Sequence, residues 1–315
     1  MKIGILSRNR NLYSTRRLSQ AAHTHGHEVV IIDTMSIAVE MGIAESESQI
    51  KVIQTALIPR TTYLPQVDAI IPRIGASITS YGLAVVRQFE GQGVRTTATA
   101  SAIDCSRDKL HSLQMMARAG LPIPKTAVIA RSEALFPALQ AVNGPPAILK
   151  SSRGTQGHEV ILATSLQTAQ AAFQRLRRLG PQVLVQEFVA EAEGKDTRVI
   201  VVGQQCVAAM ERSASRGEFR ANLHLGGTAV PITIDPQTKK LALAAARAHD
   251  LHVAGVDLIY SQRGPLLLEV NSSPGLQGIE TATQVDIAAH IISFLETDQP
   301  GDKQKRRSQK SKRRR

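Results

Sequence analysis

Between Val253 and Gly275 the chain holds two apolar runs, Val-Ala-Gly-Val-Asp-Leu-Ile-Tyr and Leu-Leu-Leu-Glu-Val-Asn, joined by Ser261-Gln262-Arg263-Gly264. Runs of this length around a short polar turn read as an antiparallel hairpin. The second run is too apolar to have a solvated face, yet it carries Glu269 and Asn271. Residues at i and i+2 of a strand share a face, so these two oxygen-bearing side chains point the same way. If Asp257 on the first strand lies opposite Glu269, three oxygen donors converge; a slip of one residue would turn Asp257 away. Such a set suits a hard cation such as magnesium working with a phosphate substrate.

The remaining sequence bounds the context. A chain of 315 residues, 43% hydrophobic, can build two or three domains with a sizeable core. No apolar run approaches the ~18 residues that span a bilayer. Met1–Leu6 leads straight into a strand without signal-peptide shape. Cys105 and Cys206 are far apart and offer neither a disulfide framework nor zinc spacing. A cytoplasmic protein without membrane contact is expected. The net charge of +12 is unevenly spread: residues 301–315 hold nine Lys or Arg against one Asp, and the rest of the chain carries +4. A block of like charge without apolar residues cannot fold alone and reads as a disordered interaction tail.

The first ninety residues alternate apolar strands (Lys2–Leu6, Glu28–Ile32, Ala69–Pro72) with helices, which implies a mostly parallel sheet. Ser14 is expected to cap the first helix and Gly26 to stop it. No glycine-rich dinucleotide fingerprint is present. A single helix is expected from about Ser106 to Ala119. Strands follow at 126–129, 147–150, 159–163 and 183–188, with a helix capped by Ser165. A hairpin turns at Gly203, and Asp235 with Pro236 starts a further helix. The final helix is expected from about Val285 to Glu296. This later part is α+β.

Several constellations could carry chemistry. Lys150 ends a strand and opens onto Arg153-Gly154-Thr155-Gln156-Gly157, where a lysine and mobile amides could hold a phosphate or form a plain turn. Glu187 and Phe188 end a strand whose backbone could pair with an adenine edge. Asp196 could reach a ribose hydroxyl or cap a turn. In the loop Glu218–Gly227, Arg220 could stabilise a transferring phosphoryl group and Asn222 could bridge phosphate and metal. His224 there is more readily a bystander than a base. Arg107-Asp108-Lys109 puts cations at a helix start, against the helix dipole, which phosphate contact or a solvated face would explain. Arg73, just after an apolar strand, could bind a substrate carboxylate.

The order of these pieces resembles the ATP-grasp superfamily, and within it the RimK family, whose members add glutamate to the C-terminus of ribosomal protein S-six. The likeness runs from Met1 to about Glu296. It includes Lys-Ile-Gly-Ile-Leu-Ser-Arg at 2–8, Ile-Pro-Arg-Ile-Gly at 71–75 and Gly-Ile-Glu at 278–280. The resemblance implies an ATP-grasp fold preceded by a small Rossmann-like pre-ATP-grasp domain. Its expected parts are an α/β domain at 1–95, a connection at 96–112, two ATP-grasp lobes at 113–297 that divide near residue 186, and the basic tail at 298–315. It further implies that ATP is bound by Lys109, Lys150, Glu187, Phe188, Asp196, Arg220, Ala221 and Asn222, with Arg220 catalytic. Two magnesium or manganese ions would sit on Asp257, Glu269 and Asn271. Arg73, Ser273 and Gly275 would meet the substrate. The implied chemistry is attack of a carboxylate on the γ-phosphate, then displacement of phosphate from the acylphosphate by the amine of glutamate. The chain departs from the family at Arg153, where an acidic residue is usual, and at His158-Glu159, which replaces a second glycine.

Three functions remain distinct at this level. The first is a ligase acting on the acidic C-terminal tail of a ribosomal protein, in a homo-oligomer, with the basic tail touching ribosomal RNA. The second joins glutamate to a small-molecule or peptide carboxylate. The third is an RNA-binding protein with a vestigial ligase body; the low aromatic content, 3% with no Trp, leaves few rings to stack on bases.

Overall fold

The computed structural model describes residues 1–39, 50–54, 60–152 and 159–297. Arg153, His158 and most of the glycine loop, together with the basic tail, lie outside the described residues, and so does the side chain of His224. The N-terminal region runs β1 (Lys2–Leu6), α1 (Tyr13–Thr24), β2 (Glu28–Ile32), β3 (Ile37–Val39), β4 (Ile50–Gln54), β5 (Arg60–Tyr63), β6 (Ala69–Pro72), α2 (Thr79–Gly91) and β7 (Arg95–Thr96). Its main sheet has the parallel order β2-β1-β6-β7, as the alternation of strands and helices implies. The antiparallel sheet β3-β4-β5 inserted after β2 is an addition to the expected elements.

The connection then folds as two helices, α3 (Ala100–Arg107) and α4 (Lys109–Arg118), where one was expected. Asp108 breaks them: its backbone is extended, and its carboxylate accepts the N–H groups of Leu110 and His111. An aspartate that caps in this way competes with helix continuation. Ser14 is also corrected. Helix α1 starts at Tyr13, so Ser14 lies within its first turn, and its Oγ accepts the N–H of Leu276 at 3.1 Å.

The next lobe contains β8 (Thr126–Ile129), α5 (Leu135–Ala141), β9 (Ala147–Ser151), β10 (Val160–Ala163), α6 (Leu166–Arg177) and β11 (Val183–Glu187), with sheet order β10-β9-β11-β8. Alternation decides its two faces. Ala147, Leu149, Val183 and Val185 pack under α5 and α6, which turns Ile148, Lys150 and Gln186 to the opposite face.

The last lobe contains β12 (Lys195–Val202), β13 (Gln205–Ser213), β14 (Thr228–Pro231), α7 (Pro236–Ala248), β15 (Val253–Ser261), β16 (Gly264–Asn271), α8 (Gln277–Thr283) and α9 (Ile287–Thr297). The order β14-β13-β12-β15-β16 is antiparallel throughout. Asp235 caps α7 through the Thr238 N–H, with Pro236 at its first position, as the sequence implies. The short helix α8 was not anticipated. Val199 and Val201 face a core shared with α7 and α2, whereas Ile200 and Val202 face one shared with α1, α8 and α9. Both cores run from the N-terminal sheet into the last lobe, so these regions are welded by apolar burial rather than tethered. Among the described residues no helix is long and apolar enough to cross a membrane.

Candidate active site

The three regions enclose one cleft of about 1270 Å³. At its centre Asp257 stands directly opposite Glu269, and Gly255 opposite Asn271. A bulge makes this register possible: the ladder passes from Asp257↔Glu269 to Leu258↔Leu267, leaving Leu268 unpaired. Leu267 and Val270, three residues apart, both face the core, which only an extra residue between them permits. Glu269 and Asn271 therefore line the cleft with Asp257. Gly255 is required because a Cβ there would approach Pro274 Cβ to 2.8 Å, pushing away the chain that follows β16.

Asp257 is buried and held by two guanidiniums. Arg198 donates to both its oxygens at 2.7 and 2.6 Å, and Arg212 Nη2 lies 3.1 Å from Oδ2. Burial would raise this carboxyl, but Arg198 and Arg212 outweigh it and hold the pKa below the usual range. Arg212 also grips Asp196 at 2.6 and 2.7 Å. Burial, with Asp257 facing it, pushes Asp196 upward against the pull of Arg212. The four charges alternate in sign across β12, β13 and β15. Neither Arg198 nor Arg212 was singled out from the sequence. Their signal lay in Asp196 and Arg198 sharing a face of β12, but their partners depend on strand pairing.

At one end Lys150 is buried, and its Nζ donates to Gln186 Oε1 at 3.1 Å. The Lys109 N–H donates to Ser152 O at 2.9 Å, so the start of α4 is tied to the end of β9 and brings the two lysines together. Burial, and then the Lys109 charge, lowers Lys150 to about 8, while Glu269 acts in the opposite sense. Lys109, Lys150 and the hairpin carboxylate Glu269 thus feel one another's fields.

Glu187 and Phe188 line the hinge side of the cleft. The Glu187 carboxylate accepts the Lys125 N–H at 2.8 Å and Asn143 Nδ2 at 3.3 Å, and pairs with Arg263 from the β15–β16 turn. Its N–H is also spent, on Lys125 O at 2.9 Å. The side chain of Glu187 is therefore a clasp between lobes, and the ladder ends where Phe188 begins.

Arg220, Ala221 and Asn222 line the cleft from the loop before β14. Arg220 pairs with Glu218 at 3.0 and 2.6 Å and lies 5.5 Å from the Phe219 ring centroid. Its hydrogen bond, with those of nearby N–H groups, holds Glu218 down at about 2. In the described conformation the expected phosphoryl-binding guanidinium is thus turned to an internal carboxylate. Gly227 lets this loop approach β13: a Cβ there would meet Ser213 O at 2.8 Å.

Arg73, Ser273 and Gly275 meet at the far end. Arg73 Nη2 donates to Pro274 O at 2.9 Å and Ser273 Oγ to Pro72 O at 3.1 Å, so the end of β6 is stitched to the loop beyond Asn271. Arg107 is tied to Ile74 O, Gly75 O and Thr79 Oγ1, which makes it a brace of the loop after β6.

The donor set fits a hard cation. Asn271 Nδ2 donates to Gly255 O at 3.4 Å, which leaves Oδ1 as an acceptor, and Glu269 has no hydrogen-bond donor among the described residues. Among those residues no cluster of three or more Asp, Glu, His or Cys side chains forms a metal cage. Glu269 and the Asn271 amide offer open oxygens, whereas Asp257, whose two oxygens already accept from Arg198 and Arg212, could add only a remaining lone pair. Such a set leaves positions for phosphate oxygens and water, which is how magnesium is usually bound.

Comparison with known proteins adds to this geometry. The RimK pre-ATP-grasp domain family matches residues 1–103, and the RimK-like ATP-grasp domain family matches residues 106–295. A probable alpha-L-glutamate ligase of Pseudoalteromonas translucida (strain TAC 125) is 47% identical over 296 residues, covering 94% of this chain and 95% of its own. One from Cellvibrio japonicus (strain Ueda107) is 47% identical over 300 residues with the same coverage. Among solved structures, the ATP-grasp ligase PsnB complexed with minimal precursor, Mg and ADP shares the fold with a TM-score of 0.70 at 19% identity, over 94% of this chain and 97% of that one. A RimK domain ATP-grasp protein from Sphaerobacter thermophilus DSM 20745 does so at 0.67 and 22%, over 93% and 99%.

Proposed function

Since the chain belongs to the RimK-like ATP-grasp family and is an ATP-dependent ligase, we propose that it adds glutamate to the C-terminal carboxylate of a ribosomal protein of the S-six type. The observation that carries this reading is the convergence of Asp257, Glu269 and Asn271 on a cleft that also contains Lys109 and Lys150. Relatives named alpha-L-glutamate ligases supply the amino acid.

In this reading residues 1–95 are the pre-ATP-grasp domain, 96–112 a connection, 113–297 the two lobes and 298–315 a basic arm for ribosomal RNA. ATP lies between the lobes, its base against Phe188 and the backbone beyond Glu187, and its ribose toward Asp196. Lys150 and Lys109 hold its phosphates. Arg220 leaves Glu218 for the γ-phosphate, beside Ala221 and Asn222. Magnesium or manganese on Asp257, Glu269 and Asn271 would neutralise charge as it moves between phosphate oxygens. The acceptor carboxylate attacks the γ-phosphorus, ADP leaves, and the acylphosphate stays shielded from water in the cleft. The amine of glutamate then attacks the acyl carbon, phosphate departs and an amide forms. No enzyme nucleophile is needed.

The test incubates the protein with ATP, magnesium, labelled glutamate and purified small-subunit ribosomal proteins. Label on the C-terminus of one of them is expected. Label confined to an added small acceptor or to a non-ribosomal peptide would sink the ribosomal assignment and leave the ligase.

A further inference from the structure

Three arginines that line the cleft, Arg198, Arg212 and Arg220, pair with carboxylates of the chain, and the pairs differ in where the anion stands. Asp257 and Asp196, which hold Arg198 and Arg212, line the cleft themselves and are buried, the Asp257 side chain being 7% exposed. Glu218, which holds Arg220, is not among the cleft-lining residues. The side chains of Arg220 and Glu218 are 23% and 21% exposed. A pair this open to water separates at small cost, whereas breaking a buried one is expensive. Arg220 is therefore the paired guanidinium of the cleft whose counter-ion can be exchanged.

The loop is built so that one side of this pair can move alone. Glu218 Oε1 accepts the N–H groups of Phe219 and Arg220 at 2.9 and 3.0 Å, and the Glu218 N–H donates to Ser215 O at 3.0 Å. The carboxylate is thus fixed by its own backbone as well as by the guanidinium. Arg220 reaches it through Nε at 3.0 Å and Nη2 at 2.6 Å, beside the Phe219 ring. Turning the Arg220 side chain would release the same two donors to an anion in the cleft and leave the Glu218 turn in place. A fork that fits a carboxylate also fits a phosphate. Glu218, held at about 2, remains charged at any working pH and competes throughout.

We infer that Glu218 competes with the γ-phosphate of ATP for Arg220 and so sets how strongly the site distinguishes ATP from ADP. The guanidinium rests on Glu218, is surrendered to a γ-phosphate and returns once phosphate has left. ADP has no γ-phosphate and binds with the resting pair intact. Glu218 touches neither nucleotide nor metal in this arrangement, so it is a positioning residue that acts through Arg220. The inference rests on the proposed role of Arg220 at the γ-phosphate.

Wild type, Glu218→Gln, Glu218→Asp and Arg220→Gln are compared as full-length chains with magnesium. ADP and a non-hydrolysable ATP analogue are titrated into each by calorimetry. Glu218→Gln keeps an oxygen for the Phe219 and Arg220 N–H groups, so Tm is not expected to fall. Its affinity for the analogue should rise about 3–10-fold, between the effect of an exposed ion pair and that of a charge-assisted hydrogen bond, with ADP unchanged within about twofold. In steady state the KM of ATP falls by the same factor and kcat does not rise, because nucleotide binding has changed and the transition state has gained nothing beyond it. Glu218→Asp, which keeps the charge, returns towards wild type. Analogue affinity that is unchanged or weaker in Glu218→Gln, or an equal tightening of ADP, would overturn the inference. Arg220→Gln checks the reading beneath it and should weaken the analogue but not ADP. If Arg220→Gln binds both nucleotides as wild type does, the γ-phosphate role of Arg220 falls and the inference falls with it.

Discussion

Asp257 and Glu269 face each other, yet their surroundings make different demands. Asp257 is gripped by Arg198 and Arg212, whereas Glu269 makes no ion pair or hydrogen bond among the described residues and reaches Lys150 only through its field. Asp257→Asn leaves buried guanidiniums short of charge and is expected to cost about 3–5 kcal/mol. Glu269→Gln should stay within about 0.5 kcal/mol of wild type. Both should lower kcat about 100-fold or more, the usual loss when a group that stabilises transferred charge is removed. Urea unfolding and steady-state assays on the two variants check the contrast. Lys150 adds a pH dependence. Its folded pKa, about 8, lies below the ordinary 10.5, so burial disfavours its charged form. The folded state carries that cost below pH 8 and sheds it as pH rises through 8 towards 10.5. ATP binding has the opposite sign, because it needs the charge. Above about pH 8 the KM of ATP should climb, approaching tenfold per unit until the pKa of the nucleotide-bound lysine is reached. Lys150→Arg should remove that limb in a pH series, since arginine stays charged.

Among the elements, those with a local cause were legible from their residues. Alternation and apolar runs located β1, β2, β6, β8 and the β15–β16 hairpin, and Asp235-Pro236 located the start of α7. Elements decided by competition were not. The Arg107-Asp108-Lys109 run is compatible with one helix, and only the capping of Leu110 and His111 by Asp108 makes it two. Ser14 has the chemistry of a cap but serves Leu276, 262 residues away. The break at Asp108 has a function in this fold because it sets Lys109 at the first position of α4, beside Ser152. Asp108→Ala should therefore destabilise the protein by about 1 kcal/mol, the usual cost of a lost cap. It should also raise the KM of ATP by letting Lys109 drift from Lys150. Thermal unfolding and nucleotide titration measure the two effects separately.

At the scale of the molecule, the cleft exists because the parallel N-terminal sheet and the antiparallel last lobe share two apolar cores, which carries the end of β6 to the loop beyond β16. The basic tail lies outside the described residues. A chain ending at Thr297 should keep its Tm and its kcat on a short synthetic peptide ending in two glutamates. It should lose affinity for ribosomal particles in a sedimentation assay, and the difference should vanish as salt screens the charges. The sequence by itself determined the strand–helix alternation, the carboxylate–amide pair on one strand face and the order of motifs that marks the family. These follow from local periodicity and residue chemistry. Only the tertiary structure decided that a bulge at Leu268 brings Glu269 opposite Asp257. It also decided that Arg198 and Arg212 absorb the charge of Asp257, that Glu187 clasps the lobes and that Arg73 has no carboxylate partner among the described residues. Register and charge pairing depend on which strands lie side by side, and that is settled by the burial of both sheet faces rather than by any neighbour in the chain.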